Sequence, residues 1–329
     1  MLKRLMLALA AMVPAALCTA ALALPGALAA QGYPSKPIRL VVGFTPGGGV
    51  DINARLLASK LPEYLGQPVI VDNRPGAGTN IANEFVAKSA PDGYTLLMAT
   101  PVVLINMALY KQLPYDTLRD FTGVSVFSAS PNIMVVGASL PANDLGALMA
   151  LARARPGELN YSSAGSGSTQ HLSGALFRAR TGVDMVHVPY KGSAPALTAL
   201  ISGDVQLSFS NIPAIRAHVT SGRLRPLAST GSKRSELMPE VPTMRESGID
   251  IDVTVWYGVL APAATPRAVI DMLAAAIARA AHAPDIRQRL LDQGAEPVGN
   301  APEEFERMLR TEIVTWADAV KSSGAKANE

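Results

Sequence analysis

Three glycine-rich stretches dominate the search for chemistry. They are Thr45-Pro46-Gly47-Gly48-Gly49, Gly76-Ala77-Gly78-Thr79-Asn80 and Ala164-Gly165-Ser166-Gly167-Ser168-Thr169. Each lies between an apolar run that reads as a strand and a stretch with helical spacing. A helix start leaves backbone N–H groups unpaired and bears a partial positive charge, so such loops can hold an anion without any lysine or arginine. Glycine lets those amides approach a ligand closely, and the hydroxyls of Thr79, Ser166, Ser168 and Thr169 add donors. The plainer reading is three ordinary strand-to-helix turns, in which glycine is common. Three loops of one character weigh against that reading.

Other chemistries find less support. Gly76-Ala77-Gly78 opens a dinucleotide-like fingerprint, but Ile81 stands at the third glycine, and Gly165-Ser166-Gly167 fails likewise at Gln170. There is no phosphate P-loop and no G-x-S-x-G nucleophile elbow. His171, His187, His218 and His282 show no zinc-binding spacing. His187 reads as a core residue; His171, just after the third loop, reads as a capping or packing residue or as a ligand contact. Asp51 opens the first long helix, where it caps free amides or orders the first loop, and Arg55 lies one turn on. No catalytic trio converges, so no enzyme activity, cofactor or metal is expected.

The elements that position these loops alternate. Strands are expected at 38–42, 69–71, 94–98, 133–136, 159–162, 185–188, 205–209, 224–228 and 256–260. Helices are expected from Val50, Asn80, Asp144, Ser168, Ala194 and Ile212. That rhythm points to parallel α/β sheets. The last part, Pro266–Ala281, Pro284–Leu291 and Pro302–Lys321, reads as helical, each stretch opening at a proline suited to a first turn.

The first 30 residues read as a removable signal: Lys3 and Arg4, an apolar run from Leu5 to Leu24, then Ala27-Leu28-Ala29 before a cut after Ala29 or Ala30. Cys18, the one cysteine, leaves with it; Leu17 before it argues against a lipid anchor, and no disulfide is expected afterwards. Loss of the two basic residues lowers the formal charge from +3 to +1. Nucleic-acid binding is not expected from so little charge and 5% aromatic content.

The loops and their flanks resemble the Bug family, receptors related to the binding proteins of tripartite tricarboxylate transporters. The matching pieces run in order through the mature chain: Tyr33–Ile38, Pro46–Asp51 with Ala54-Arg55, Asn73–Gly78, Pro91–Leu97, Pro156-Gly157, Ser163–Ser168 with His171-Leu172, Val188–Gly192 and Val241–Thr243. The resemblance implies a two-lobed α/β periplasmic binding protein (a Venus flytrap), each lobe a mostly parallel sheet flanked by helices, with the ligand cleft between lobes. Residues 31–131 with 255–329 would form one lobe and 132–254 the other. By motif, Phe44, Pro46, Gly47, Gly48, Gly76, Ala77, Gly78 and Thr79 would clasp one carboxylate. Ala164, Gly165, Ser166, Ser168, Thr169 and Ser210 would address the rest of the ligand, and Asp51 joins the expected binding set. Many relatives carry aspartate where Ser210 stands, so a ligand with an ammonium group is disfavoured. Thr79 stands where a further glycine is usual, and Asn80 and Ala82 also depart from the pattern. The expected function is capture of a small organic anion, a carboxylate, in the periplasm by a monomer that hands it to membrane permease subunits. A sensor role beside a signalling partner is the alternative; a hydrolase on the same scaffold is a more remote one.

Overall fold

The computed structural model describes residues 32–44, 46–47, 49–165, 167–190 and 193–325. By its contacts the chain divides between Tyr33 and Pro34, and every element below lies on the C-terminal side. The expected signal segment falls outside the described residues.

In chain order the elements are β1 (Ile38–Val42), α1 (Gly49–Lys60), α2 (Pro62–Leu65), β2 (Val69–Asn73), a 3-10 turn (Ala77–Thr79), α3 (Asn80–Ala87), β3 (Thr95–Ala99), α4 (Val102–Leu109), α5 (Thr117–Asp120) and β4 (Phe121–Gly137). Then follow α6 (Leu145–Ala154), β5 (Leu159–Ser163), α7 (Thr169–Thr181), β6 (Met185–Pro189), α8 (Ser193–Ser202), β7 (Leu207–Asn211), α9 (Ile212–Thr220) and β8 (Leu224–Ser229). The chain ends with β9 (Thr254–Pro262), α10 (Arg267–His282), α11 (Pro284–Asp292), β10 (Glu296–Pro297) and α12 (Pro302–Ser323).

Local chemistry explains many of the boundaries. Asp144 and Ser168 cap α6 and α7 by accepting from Ala147 and His171 N–H groups at 2.7 and 3.2 Å. Gly66 and Gly182 close α2 and α7 in the left-handed conformation that glycine adopts without strain. Prolines sit in the first turns of α2, α9, α11 and α12.

The strands run in the order β2-β1-β3-β9-β4-β7-β5-β6, with β8 and β10 also pairing with β4. Two parallel groups, β2-β1-β3 and β6-β5-β7, carry the three glycine-rich loops at their carboxyl ends. Between them β9 and β4 lie antiparallel to their neighbours. The 17-residue β4 changes partner along its length. It pairs with β9 through Pro131, opposite Thr254, and with β7 and β8 from Asn132 and Ile133 onward. One chain segment therefore continues from one sheet group into the other.

The apolar faces of both groups are buried. Trp256, Phe305 and Trp316 join α12 to β9 in the main core, and Ile133, Val135, Leu200 and Ile215 centre a second cluster. Ile–Val–Leu strands buried on both faces are what parallel sheets flanked by helices require.

Candidate functional site

The first loop leaves β1 through Gly43 and Phe44 and enters α1 at Gly49. Asp51, 2% exposed, folds back under it. Its carboxylate accepts from the Gly47 N–H, Arg55 Nε and Asn73 Nδ2, each at 2.9 Å. Asn73 Nδ2 also donates to the Phe44 carbonyl at 3.1 Å, while Arg55 Nη2 donates to Asn73 Oδ1 at 3.1 Å. The Arg55 guanidinium, with the Gly47 and Asn73 donors, outweighs burial and holds the Asp51 carboxyl down at about 2. Asp51 is thus an ionised brace for the loop. The amide of Gly47, one of the residues expected to clasp a carboxylate, donates to Asp51. Gly48 lies outside the described residues. Asn73, at the end of β2 and two residues past the strand expected at 69–71, joins the first loop to the strand before the second.

The second loop winds tightly, with φ of 131° at Gly76, 47° at Ala77, 62° at Gly78 and 80° at Thr79. Left-handed backbone at a threonine costs on the order of 1 kcal/mol, which makes glycine the easier residue there. A buried amide network holds it. Asn106 Nδ2 donates to the Gly78 carbonyl at 2.7 Å and to Asn80 Oδ1 at 2.8 Å. Tyr115 donates to Asn80 Oδ1 at 2.7 Å and accepts from Asn83 at 2.8 Å, and Asn83 also reaches the Thr79 hydroxyl at 3.2 Å. Asn80, Asn83 and Asn106 are all buried, so each needs such partners. A Cβ added at Gly43 would lie 2.8 Å from Thr79 Cβ, so the two loops pack directly. Together Gly43, Phe44, Pro75, Gly76, Gly78, Thr79 and Val102 line a cavity of about 290 Å3 with no charged side chain.

The third loop is tied down from within. The Ala164 N–H donates to Gln170 Oε1 at 2.7 Å, the Gly165 N–H to Ser163 Oγ at 3.1 Å and the Gly167 N–H to His171 Nδ1 at 3.1 Å. Ser168 Oγ donates to the Gly165 carbonyl at 2.7 Å besides capping α7. Ser166 lies outside the described residues. Thr169 opens α7 beside this turn. At the end of β7 the buried Ser210 hydroxyl lies 3.1 Å from that of Ser208. The amides of Ala164 and Gly165, two residues expected to address the rest of the ligand, are engaged by the side chains of Gln170 in α7 and Ser163 at the end of β5.

The loops converge. A Cβ at Gly78 would lie 2.6 Å from the Tyr110 hydroxyl, and one at Gly167 3.2 Å from Leu109, so the second and third loops meet across the end of α4. Gly49 of the first loop, Asn211 beyond Ser210, and Tyr257 of β9 border one further cavity of about 330 Å3.

Residues 53–324 match the family described as tripartite tricarboxylate transporter family receptor. The chain belongs to that family. It is 39% identical to protein BugT of Bordetella pertussis over 313 residues, 94% of this chain and 95% of that one. Among solved structures it resembles R. palustris Rpa4515 with adipate, at a TM-score of 0.75 and 39% identity over 89% of this chain and 99% of that one. It likewise resembles MatC of Rhodopseudomonas palustris with bound malate, at 0.71 and 33% over 88% and 100%. The fold is that of two-lobed periplasmic binding proteins, and the family is one of solute-binding receptors.

A larger cavity of this receptor, about 430 Å3, lies elsewhere, among α7, α12, the crossing strands and the segment from Arg245 to Thr254. There Glu312 accepts from Trp256 Nε1 at 2.8 Å and Trp316 Nε1 at 3.1 Å. Burial, reinforced by Asp252, pushes its carboxyl up to about 7 against the pull of the two indoles. Arg245 is already paired with Asp250 and Asp252. Its lining residues bind helix to strand and include none of the glycine-rich loops. Among the described residues no cluster of His, Cys, Asp and Glu is arranged to hold a metal ion. No helix among them is long and apolar enough to cross a membrane.

Proposed function

We propose that the protein is exported, that residues 1–30 are its cleaved signal, and that the mature chain captures a small organic carboxylate in the periplasm for delivery to membrane permease subunits. Residues 31–131 with 255–329 act as one lobe and 132–254 as the other, hinged where β4 changes partner at Pro131–Asn132 and where β9 begins. Ligand touching both lobes favours the closed form through contacts absent from the open one.

The observation that carries this reading is the uncharged cavity between the first two loops, which stand at the carboxyl ends of neighbouring parallel strands. Main-chain dipoles at helix starts favour a carboxylate without a guanidinium to pair it. The two similar structures hold adipate and malate, both small carboxylates. Ser210 offers a hydroxyl where a charged partner for an ammonium group would be needed, so carboxylates without an α-amino group are preferred. Asp51 is committed to its three donors, and although His187 Nε2 lies 2.7 Å from Ser163 Oγ, burial depresses both histidines of the third loop region to about 4, too weakly basic to serve as general bases near neutral pH. Membership of a receptor family and these weakly basic rings favour a binding role over an enzymatic one.

Thermal unfolding of the mature protein across adipate, malate, other di- and tricarboxylates, aromatic carboxylates and amino acids tests this. At about a hundred times Kd a true ligand stabilises by about 2.7 kcal/mol, a shift of several degrees. Stabilisation by a carboxylate supports the reading. Indifference to every carboxylate, or a response confined to amino acids, contradicts it.

A further inference from the structure

Beneath the third loop, His171 of α7 and His187 of β6 stack with ring centroids 3.7 Å apart and planes 12° from parallel. Tyr161 of β5 closes the stack, 5.0 Å from His187, and donates its hydroxyl to the His171 carbonyl at 3.3 Å. His171 Nδ1 accepts from the Gly167 N–H at 3.1 Å, so its proton resides on Nε2. His187 Nε2 lies 2.7 Å from Ser163 Oγ, which in turn accepts from the Gly165 N–H. Each imidazole thus fixes one glycine amide of the loop, His171 directly and His187 through Ser163. Gln170 fixes the Ala164 amide. The amides of Thr169 and Gln170 lie in the first turn of α7, where a helix supplies no carbonyl of its own to them.

We propose that the stacked His171–His187 pair is the positioning element of the ligand site. By occupying the Gly165 and Gly167 amides it sets the loop so that the helix-start amides of Thr169 and Gln170, with the Thr169 hydroxyl, face the ligand's distal acceptor group. This rests on the carboxylate-binding reading and revises which atoms of the third loop do the binding. It requires the His171 ring to be neutral, since an imidazolium Nδ1 donates and cannot hold the Gly167 amide. The surroundings enforce that state. Burial depresses both rings to about 4, with Arg178 adding to the depression at His171 and the facing ring and Arg178 adding to it at His187. The titratable and charged groups around the pair are Tyr161 of β5, Arg178 of α7 and each other; Arg178 is held 3.7 Å from Asp184.

The test pairs NMR of the ligand-free protein with titrations of adipate and malate into wild type, His171→Phe and His171→Asn. The phenylalanine keeps a ring in the stack and removes the acceptor; the asparagine restores an acceptor near the position of Nδ1. At pH 7 the His171 ring is expected as the neutral Nε2–H tautomer, with the Gly167 amide protected from solvent exchange. That protection is lost in His171→Phe and regained in His171→Asn. Affinity should fall about tenfold in His171→Phe, the loss tied to one misplaced hydrogen-bonding loop, and return to within about threefold in His171→Asn. An Nδ1–H tautomer, or an unprotected Gly167 amide in the wild type, overturns the proposal with no variant needed. Wild-type binding matched by His171→Phe overturns the positioning role alone. A wild type that binds neither these acids nor any other carboxylate overturns both this proposal and the function it rests on.

Discussion

At Asp51 three donors, led by the Arg55 guanidinium, hold the carboxyl down at about 2 from an ordinary 3.8. A depressed carboxyl stabilises the fold above its unfolded value and loses that contribution as pH falls through the folded one. Asp51→Asn should therefore cost about 2 kcal/mol at pH 7, because its amide meets the donors of Asn73 and Arg55 face to face. Its gap from wild type should close as pH approaches 2, which denaturant unfolding at the two pH values measures. The sequence made Asp51 legible as a helix-start carboxylate, since an acid in a first turn has few other uses. It did not reveal that the carboxylate takes the Gly47 amide, because a side chain turning back four residues leaves no trace in spacing. His171 was similarly visible as a residue after a loop, but its partner at Gly167 depends on ring orientation. The amide network of Asn80, Asn83, Asn106 and Tyr115 joins residues up to 35 apart, and only burial of asparagines in apolar surroundings hints at it.

The capped helices and short apolar strands were readable almost to the residue, because Asp144, Ser168 and the helix-opening prolines act locally. The helix Val102–Leu109 was not, since its residues are apolar on nearly every side and offer no period. The length of β4 was hidden as well: only 133–136 was expected as strand, and Ser125, Ser128 and Ser130 break the apolar pattern before it, yet all are buried and hydrogen-bonded in the crossing strand. Antiparallel pairing of β9 and β4 follows from where the chain re-enters, which no local pattern encodes. Two predictions belong at this scale. Gly43→Ala should destabilise by about 1–3 kcal/mol, since its methyl would press on Thr79 between the first two loops. Thr79→Gly should recover part of that loss in the double variant, giving a coupling that thermal unfolding of all four forms measures. Glu312 ties α12 to β9 through the two indoles, and burial raises its carboxyl to about 7 from 4.5. A raised carboxyl favours the fold fully below its unfolded value, and that favour is lost as pH rises through 7. Glu312→Gln should accordingly melt a few degrees higher than wild type at pH 8 and no higher at pH 4; a gap that widens toward acid would contradict this.

For the whole molecule, the ordered set of motif pieces along the chain was enough to indicate the family and its two-lobed fold. What the sequence left open was which donors remain free once the loops have satisfied themselves. Closure over a ligand should make the protein more compact, so the radius of gyration from solution scattering should fall when a stabilising carboxylate is added, and stay unchanged with an inert one. The deciding measurement is a crystal structure of the mature protein grown with whichever carboxylate stabilises it most. A carboxylate in the cavity of Gly43, Phe44, Gly76, Gly78 and Thr79, bonded to main-chain amides with no guanidinium or ammonium beside it, is the predicted result. A carboxylate lodged instead near Arg180 and Arg245 behind the crossing strands, with the loop cavity unused, would contradict the account.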